Sequence, residues 1–172
     1  MPLPLAVTDT SVLINLHHLE LLNSLSLFYR QVLVPSPVRT QFLSRDDTRS
    51  REIALDVLTR RGFFSPCDDY DSIEVDRFKT LNMDEGEAEA LSQLKSRNAD
   101  VLLIDEKIGR NVATRERRRV NGTASSLARL HLNGVAEYWS CINRLRSESR
   151  FIITDKIANQ ALDNALKEQI GL

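Results

Sequence analysis

The strongest constraint on the fold is a pair of short apolar segments that each end in an aspartate just before a predicted helix. These segments are residues 5–9 (LAVTD) and 101–105 (VLLID). Segments this apolar are typical of strands buried on both faces, as in a parallel sheet. Ligands of open parallel sheets bind outside the carboxyl ends of the strands. We therefore expect Asp9 and Asp105 to lie together at one binding crevice.

Strand-like and helical segments alternate along the rest of the chain. Further strands are predicted at 31–35, 63–64 and 119–121. Helices are predicted over 12–28 (with a break near 23–24), 37–43, 45–61, 86–97, 106–117, 123–132, 135–147 and 155–168, whereas 67–80 shows too weak a pattern to assign. This alternation predicts an α/β fold with a parallel sheet and right-handed crossovers.

Length and composition are those of one globular domain in a reducing compartment. A chain of 172 residues is long enough for one domain with its own core. Cys67 and Cys141 lack metal-ligand spacing and are interpreted as free thiols. The chain has no apolar run of about 18 residues and no secretory signal, so we expect a cytoplasmic protein without a membrane span. The net charge of −1 argues neither for nor against a nucleic-acid partner.

Glu87 is a third candidate acid at the same crevice. On a helix, Glu87 shares a face with Leu91 and Leu94 and should point toward the sheet, whereas Glu89 should point away and be solvated. An inward carboxylate is costly unless it is paired, caps the helix or binds a metal. The spacing of Asp84 and Glu87 also fits a capping box, so both interpretations stay open.

Three carboxylates at one crevice repel each other unless a cation lies between them. A hard divalent ion such as Mg²⁺ or Mn²⁺ suits an all-oxygen site, with Asp9, Glu87 and Asp105 as its predicted ligands. The alternative for each aspartate is a helix N-cap. At the first position Thr10 or Ser11 could cap instead and leave Asp9 free.

A cluster of basic residues follows Asp105. Its members are Lys107, Arg110, Arg115, Arg117, Arg118 and Arg119, and Arg45, Arg49 and Arg51 form a weaker group. If they flank the crevice, these side chains would hold RNA phosphates. The alternative is an exposed, charged helix surface.

Other crevice-forming α/β classes fit less well. Motifs of the G-x-x-x-x-G-K and G-x-G-x-x-G types are absent from the sequence, so nucleotide cofactors lack support. An aspartyl-phosphate phosphotransferase would need a second aspartate at position 11, which is serine. A phospho-receiver would need paired acids after its first strand, where only Asp9 is found.

Five segments, in order, resemble the PIN domain family. They are 7–11 (VTDTS), 34–38 (VPSPV), 84–90 (DEGEAEA), 102–107 (LLIDEK) and 121–123 (NGT). They look most like a prokaryotic PIN subgroup related to VapC-type toxin ribonucleases. The similarity covers about residues 7–134, and the tail is similar in length and character. On this basis we predict one PIN-like domain over 1–172, with a core at about 4–134 and a helical extension at about 135–172.

The resemblance implies a three-layer α/β/α fold and cleavage of RNA phosphodiester bonds that depends on Mg²⁺ or Mn²⁺. The acids of the family map onto Asp9, Glu87 and Asp105. Toxin members pair with a small antitoxin and many PIN proteins dimerise. RNA, an antitoxin and a second copy of the chain are therefore the expected partners.

Two departures from the family pattern bear on activity. Gln41 stands where the family usually has a glutamate on the helix after the second strand. An amide oxygen can ligate a metal or orient a water, but it carries no charge and is a poor base. Asn121 or Thr123 replaces a further acid, so one metal is favoured over two. A metal-dependent ribonuclease and a non-catalytic PIN module that binds RNA or a protein both remain open.

Overall fold

The protein is built on a parallel sheet whose strands come from the predicted apolar segments. A computed structural model describes residues 2–44 and 47–171. The strands are β1 (Leu5–Thr8), β2 (Gln31–Pro35), β3 (Phe64–Cys67), β4 (Val101–Leu103) and β5 (Arg119–Asn121). Across the described residues these five strands pair in parallel in the order β3-β2-β1-β4-β5. The sheet is therefore of the predicted type, with β1 at its centre.

Helices connect and cover the strands. They are α1 (Thr10–His18), α2 (Ser36–Leu43), α3 (Thr48–Arg60), α4 (Ser72–Lys79), α5 (Glu85–Ser96), α6 (Lys107–Arg115), α7 (Thr123–Leu132), α8 (Tyr138–Glu148) and α9 (Asp155–Ile170), with a 3-10 helix at Leu22–Leu27. Within the described ranges, no helix is both long and apolar enough to cross a bilayer.

Alternate strand residues face two separate hydrophobic cores, as the period of two in a strand requires. Val7 and Leu102 contact the core that α4, α5 and α6 complete. Ala6 and Leu103 face the opposite core, which contains residues of α1, α2, α3, α7, α8 and α9. The sheet is covered on both sides, which confirms the predicted three-layer α/β/α fold.

The register of the sheet places the predicted acids at one edge. Thr8 of β1 lies opposite Leu103 of β4 in a parallel pair. The Asp9 backbone N–H continues this pairing and donates to the Leu103 carbonyl at 2.9 Å. Asp105 follows the end of β4 by two residues. Both aspartates therefore leave the carboxyl ends of neighbouring central strands.

Helix α4 was missed in the sequence. Asp71 caps it by accepting hydrogen bonds from the backbone N–H groups of Ile73 and Glu74. Its buried contact is made by Val75 and Phe78, three residues apart. Ile73, the third apolar residue of the helix, is exposed, so two buried apolar positions among charged neighbours of both signs give too weak a periodicity for prediction.

Several element boundaries also differ from the prediction: β3 runs over Phe64–Cys67 rather than 63–64, α6 ends at Arg115 rather than 117, and α8 begins at Tyr138 rather than 135. The first helical segment breaks after His18 rather than near 23–24, because Glu20 adopts φ +61° and the chain restarts as the 3-10 helix. Helix α3 begins at Thr48 rather than at 45. Arg45, one of the weaker RNA-binding candidates, lies outside the described residues.

The two predicted tail helices are present and join the first core. Helix α9 packs on α7, and Tyr138 of α8 is fully buried. The Tyr138 hydroxyl donates to the Ala158 carbonyl at 2.7 Å and so links α8 to α9. The division of the chain into a core and an extension remains a prediction.

Candidate active site

Asp9 both caps α1 and faces the crevice. Its Oδ1 accepts a hydrogen bond from the Val12 backbone N–H at 3.1 Å, and its Oδ2 accepts one from the Ser11 hydroxyl at 2.7 Å. The residue is only 3% exposed. The expectation that Thr10 or Ser11 would cap the helix in its place was therefore wrong, because the backbone turn after β1 brings the Asp9 carboxylate onto the helix start.

Asp105 accepts hydrogen bonds from residues of two helices, α1 and α7. Its Oδ1 accepts from the Thr123 backbone N–H at 2.7 Å. Its Oδ2 accepts from the Thr123 hydroxyl at 2.5 Å and from the Asn15 amide at 3.1 Å. Glu106 caps α6, so Asp105 is free of that role. The Asn15 amide also donates to the Thr123 hydroxyl, at 3.1 Å, which closes a cradle around one carboxylate.

Both aspartates lie where their ionised form is disfavoured, and the charge of Asp105 acts on Asp9. Burial raises the pKa of Asp9 to about 8, and the charge of Asp105 adds to this, against the opposing hydrogen bonds from Ser11 and Val12. Burial also raises the pKa of Asp105, although hydrogen bonds from Thr123 and the charge of Arg110 oppose it. Two carboxyl groups with raised pKa values at neighbouring strand ends form a site that a bound cation would stabilise.

Glu87 points inward, as predicted, and also completes a capping box. Its Oε2 accepts from the Asp84 backbone N–H at 3.1 Å, and the Glu87 N–H donates to Asp84 Oδ1 at 2.8 Å. Burial raises the pKa of Glu87 to about 7; the Asp84 hydrogen bond lowers it, and the charges of Asp84 and Glu106 raise it further. The charge of Glu87 reaches Asp9, where its effect on the pKa is small.

The three acids share an edge but do not meet as closely as expected. Residues 2–44 and 47–171 contain no group of three His, Cys, Asp or Glu side chains placed to hold one metal ion. The capping box directs the Glu87 carboxylate toward the Asp84 backbone, which leaves Asp9 and Asp105 as the coupled pair. The role of these three residues as metal ligands stays a prediction.

Gln41 lies beside the start of α5. Its Oε1 accepts a hydrogen bond from the Thr10 hydroxyl at 2.6 Å. A Cβ added to Gly86 would lie 3.3 Å from that oxygen and 3.2 Å from Val38 Cγ2. Glycine at position 86 therefore allows α2 and α5 to approach closely. The Gln41 side chain is held at the same edge as the acids.

Arg110 is the basic residue whose charge acts on Asp105 of the acid pair. Its Nη1 donates to the Ile104 carbonyl at 3.1 Å, and its charge lowers the pKa of Asp105. A Cβ on Gly122 would lie 2.7 Å from that nitrogen and 2.6 Å from Asp105 Oδ1. Lys107 is exposed at the first turn of the same helix.

The rest of the arginine cluster lies elsewhere. Helix α6 runs from the carboxyl edge of the sheet toward the amino edge, where Arg119 pairs with Val101 at the start of β5. Arg115, Arg117 and Arg118 lie at or just beyond the far end of α6. The expectation that the whole cluster flanks the crevice was therefore wrong, although RNA contact elsewhere by these three residues stays a prediction.

The remaining candidate residues each have their own surroundings in the structure. Arg49 is exposed, and the Arg51 Nη1 donates to the Phe42 carbonyl at 2.9 Å. Asn121 and Thr123 are the two neutral residues that could replace a further family acid. The Asn121 amide donates to the Tyr29 hydroxyl at 2.9 Å. Of the two, therefore, Thr123 is the one that contacts a candidate acid.

Sequence reasoning missed two residues near this edge. Asn15 is 7% exposed, and the available signal was a polar side chain between Leu13 and Leu16 on an apolar helix. Glu89, predicted to be solvated, is 5% exposed, and its burial raises its pKa. This prediction failed because residues of α2 and of the chain after β3 surround this side of α5, which periodicity within one helix does not reveal.

The sequence was also compared with models of known protein families. The family model described as a PIN domain matches residues 5–167. The chain belongs to the PIN domain family. PIN domains are typically nucleases, so this membership indicates nuclease-type chemistry in general terms. No curated protein is a significant match to the chain.

The cradle around Asp105 can be tested by its threonine. Thr123→Val keeps the shape but removes the hydroxyl that donates to Asp105, so we expect the free energy of unfolding in urea to fall by about 2 kcal/mol. Thr123→Ser keeps the hydroxyl and loses one buried methyl, at a cost of about 1 kcal/mol. Equal stability of the valine variant and the unmodified protein would show that the hydroxyl does not hold the carboxylate.

The raised pKa of Asp9 predicts that removing this carboxyl group increases the free energy of unfolding, relative to the unmodified protein, as the pH rises. In the unfolded chain this carboxyl ionises above its ordinary pKa of 3.8, whereas in the folded chain it keeps its proton until about pH 8. Folding therefore loses stability from this group as pH rises through that window. Asp9→Asn keeps a capping oxygen and does not titrate. Urea unfolding in EDTA should show the variant gaining on the unmodified protein from pH 4.5 to pH 8; a constant difference would contradict this.

Proposed function

We propose that this PIN-domain protein is a metal-dependent ribonuclease whose reacting centre is built on Asp9 and Asp105. The observation that carries the proposal is a pair of carboxyl groups, the buried Asp9 and the half-buried Asp105, each with a raised pKa, at the carboxyl ends of two central strands. This is where ligands of open parallel sheets bind. A divalent cation would stabilise the ionised form of both carboxyl groups, which burial disfavours, and would offset the charge that Asp105 exerts on Asp9.

The donor atoms present fit a hard cation such as Mg²⁺ or Mn²⁺. Each Asp9 oxygen accepts one hydrogen bond, from Val12 or Ser11, and a carboxylate oxygen has room for a second partner. On Asp105, Thr123 and Asn15 both donate to Oδ2, so Oδ1 is the oxygen with capacity to spare. Mg²⁺ commonly keeps several waters and takes one or two carboxylates. Two aspartate ligands, with Glu87 contacting a metal-bound water, would match this preference of Mg²⁺.

When bound, such an ion would polarise the scissile phosphate and lower the pKa of a coordinated water. The chain's own residues set the geometry. Asn15 and Thr123 fix the orientation of Asp105, while Val12 and Ser11 fix that of Asp9. These hydrogen bonds hold both carboxylates in one place before substrate arrives.

Gln41, Arg110 and Lys107 would position the substrate. The Gln41 oxygen is engaged by Thr10, which leaves its amide N–H groups to donate to a water or a phosphate oxygen. Arg110 is close enough to Asp105 to hold a phosphate beside the acid pair. Lys107 lies exposed at the same end of α6 and would contact the RNA strand further out.

A non-catalytic PIN module that binds RNA or a protein is the second candidate. The observation that favours it is Gln41 itself, because an amide supplies neither negative charge nor a base at the position where the family usually has a glutamate. In that case the crevice would bind RNA or a protein without cleaving RNA.

The finer assignment follows the resemblance to VapC-type toxins. It extends the proposal to a cytoplasmic toxin that pairs with a small antitoxin and forms a homodimer. A small open reading frame beside the gene whose product co-purifies with this chain would support it. Purification as a lone monomer from cells that express both reading frames would contradict it.

Cleavage of a mixed, labelled single-stranded RNA with Mn²⁺ or Mg²⁺ tests the main proposal. We expect EDTA to abolish cleavage and Asp9→Asn or Asp105→Asn to lower the rate at least about 100-fold, because each removes a charge that holds the metal. Asp163→Asn, at an exposed position on α9, is the matched control and should cleave normally.

Gln41→Glu separates the two candidates further. It restores a carboxylate beside the pair and should raise the cleavage rate if the site is catalytic. RNA binding without cleavage in both the unmodified protein and Gln41→Glu would overturn the nuclease proposal in favour of the binding module.

A further inference from the structure

A second acidic site lies next to the candidate active site. A cavity of about 480 Å³ opens between the start of α2, the start of α5 and the chain that follows β3. Three carboxylates line it, from Asp68, Glu85 and Glu89, together with the side chains of Gln41 and Tyr70. Gln41 is shared with the candidate active site, but none of the three carboxylates belongs to the Asp9–Asp105 pair.

Glu89 is the residue that points to a missing partner. It is 95% removed from solvent, since only 5% of its surface is exposed. Its Oε2 is buried and has no hydrogen-bond partner among the described residues. A buried carboxylate oxygen left in this state costs free energy that a donor in the cavity would recover.

The charges around Glu89 make the cavity strongly negative. Glu85 lies four residues earlier on the same helix, a spacing at which like charges destabilise each other. Asp68 faces both from the chain after β3. Lys79 approaches Glu85 at 3.9 Å and offsets only part of this charge.

The cavity does not suit a phosphate or a bare metal ion. Three carboxylates repel the RNA backbone. The described acids form no three-residue group that could hold a metal, and the volume is far larger than one ion needs. A planar guanidinium or a primary ammonium matches both the charge and the size, because it can donate to several carboxylates at once. The exposed ring of Tyr70 in the wall provides a surface over which such a cation can lie.

We propose that the cavity lined by Asp68, Tyr70, Glu85 and Glu89 binds an organic cation carrying a guanidinium or primary ammonium group. The cation is either a free small molecule or an arginine or lysine side chain of a protein partner. Its occupant would lie against Gln41 and so beside the crevice. The inference does not depend on nuclease activity.

The test is a titration of the full-length, ¹⁵N-labelled protein followed by NMR. One arm uses agmatine, a free guanidinium compound, and the other uses the capped peptide acetyl-Gly-Arg-Gly-amide. We expect shifts at the amides of residues 68–70 and 85–89. A stronger response to the peptide assigns the cation to a protein side chain, and a stronger response to agmatine assigns it to a free small molecule.

Matched variants decide whether the carboxylates are responsible. Glu89→Gln should weaken binding about tenfold, since it replaces a charge-assisted hydrogen bond by a neutral one. Asp68→Asn tests the same charge from another segment if the first variant fails to fold. Glu52→Gln, on the exposed face of α3, should bind within about twofold of the unmodified protein, as expected of a remote surface charge.

Three results would overturn the inference. The first is the absence of shifts with both probes. The second is equal binding by the Glu89→Gln and Glu52→Gln variants. The third is an equal response of the same amides to Mg²⁺ alone, which would make this a metal site. Asp9→Asn should keep agmatine binding while losing cleavage, so failure here is distinguishable from failure of the nuclease proposal.

Discussion

The placement of two carboxyl groups, the buried Asp9 and the half-buried Asp105, at the ends of neighbouring strands is the constraint on which the rest of the site depends. The sheet imposes it, because β1 and β4 are parallel neighbours and both end at the same edge. Hydrogen bonds from Ser11, Val12, Thr123 and Asn15 offset part of the cost, yet the pKa of each carboxyl stays raised. A fold that keeps such a pair in place is suited to binding a cation, which is the chemistry expected of a PIN-domain nuclease.

The parts of the fold that sequence reasoning could predict are those governed by local periodicity. Apolar runs identified the central strands, and the parallel arrangement then placed the acids at one edge without knowledge of any contact. Helix α4 was not predicted because only Val75 and Phe78 make its buried contact, and they stand among charged neighbours of both signs. Glu89 was misplaced for a different reason, since residues of α2 and of the chain after β3 surround it.

The site also shows where nearness in sequence misleads. Arg110 and Arg115 are five residues apart on α6, so they lie about 7.5 Å apart along the helix axis and point about 140° apart around it. Conversely, the cradle around Asp105 joins Asn15 to Thr123, 108 residues away. No local pattern marks such a contact. It arises only when three connections meet at one edge of the sheet.

The most direct test of this account is the pKa of Asp9 itself, measured by ¹³C NMR of the side-chain carboxyl with EDTA and then with Mg²⁺. The account predicts a pKa of about 8 without metal and a clear fall when Mg²⁺ is added, because the cation stabilises the ionised form. A pKa near the ordinary 3.8, unchanged by Mg²⁺, would show that neither burial nor the charge of Asp105 disfavours the ionised form of Asp9, and would remove the basis for a metal site.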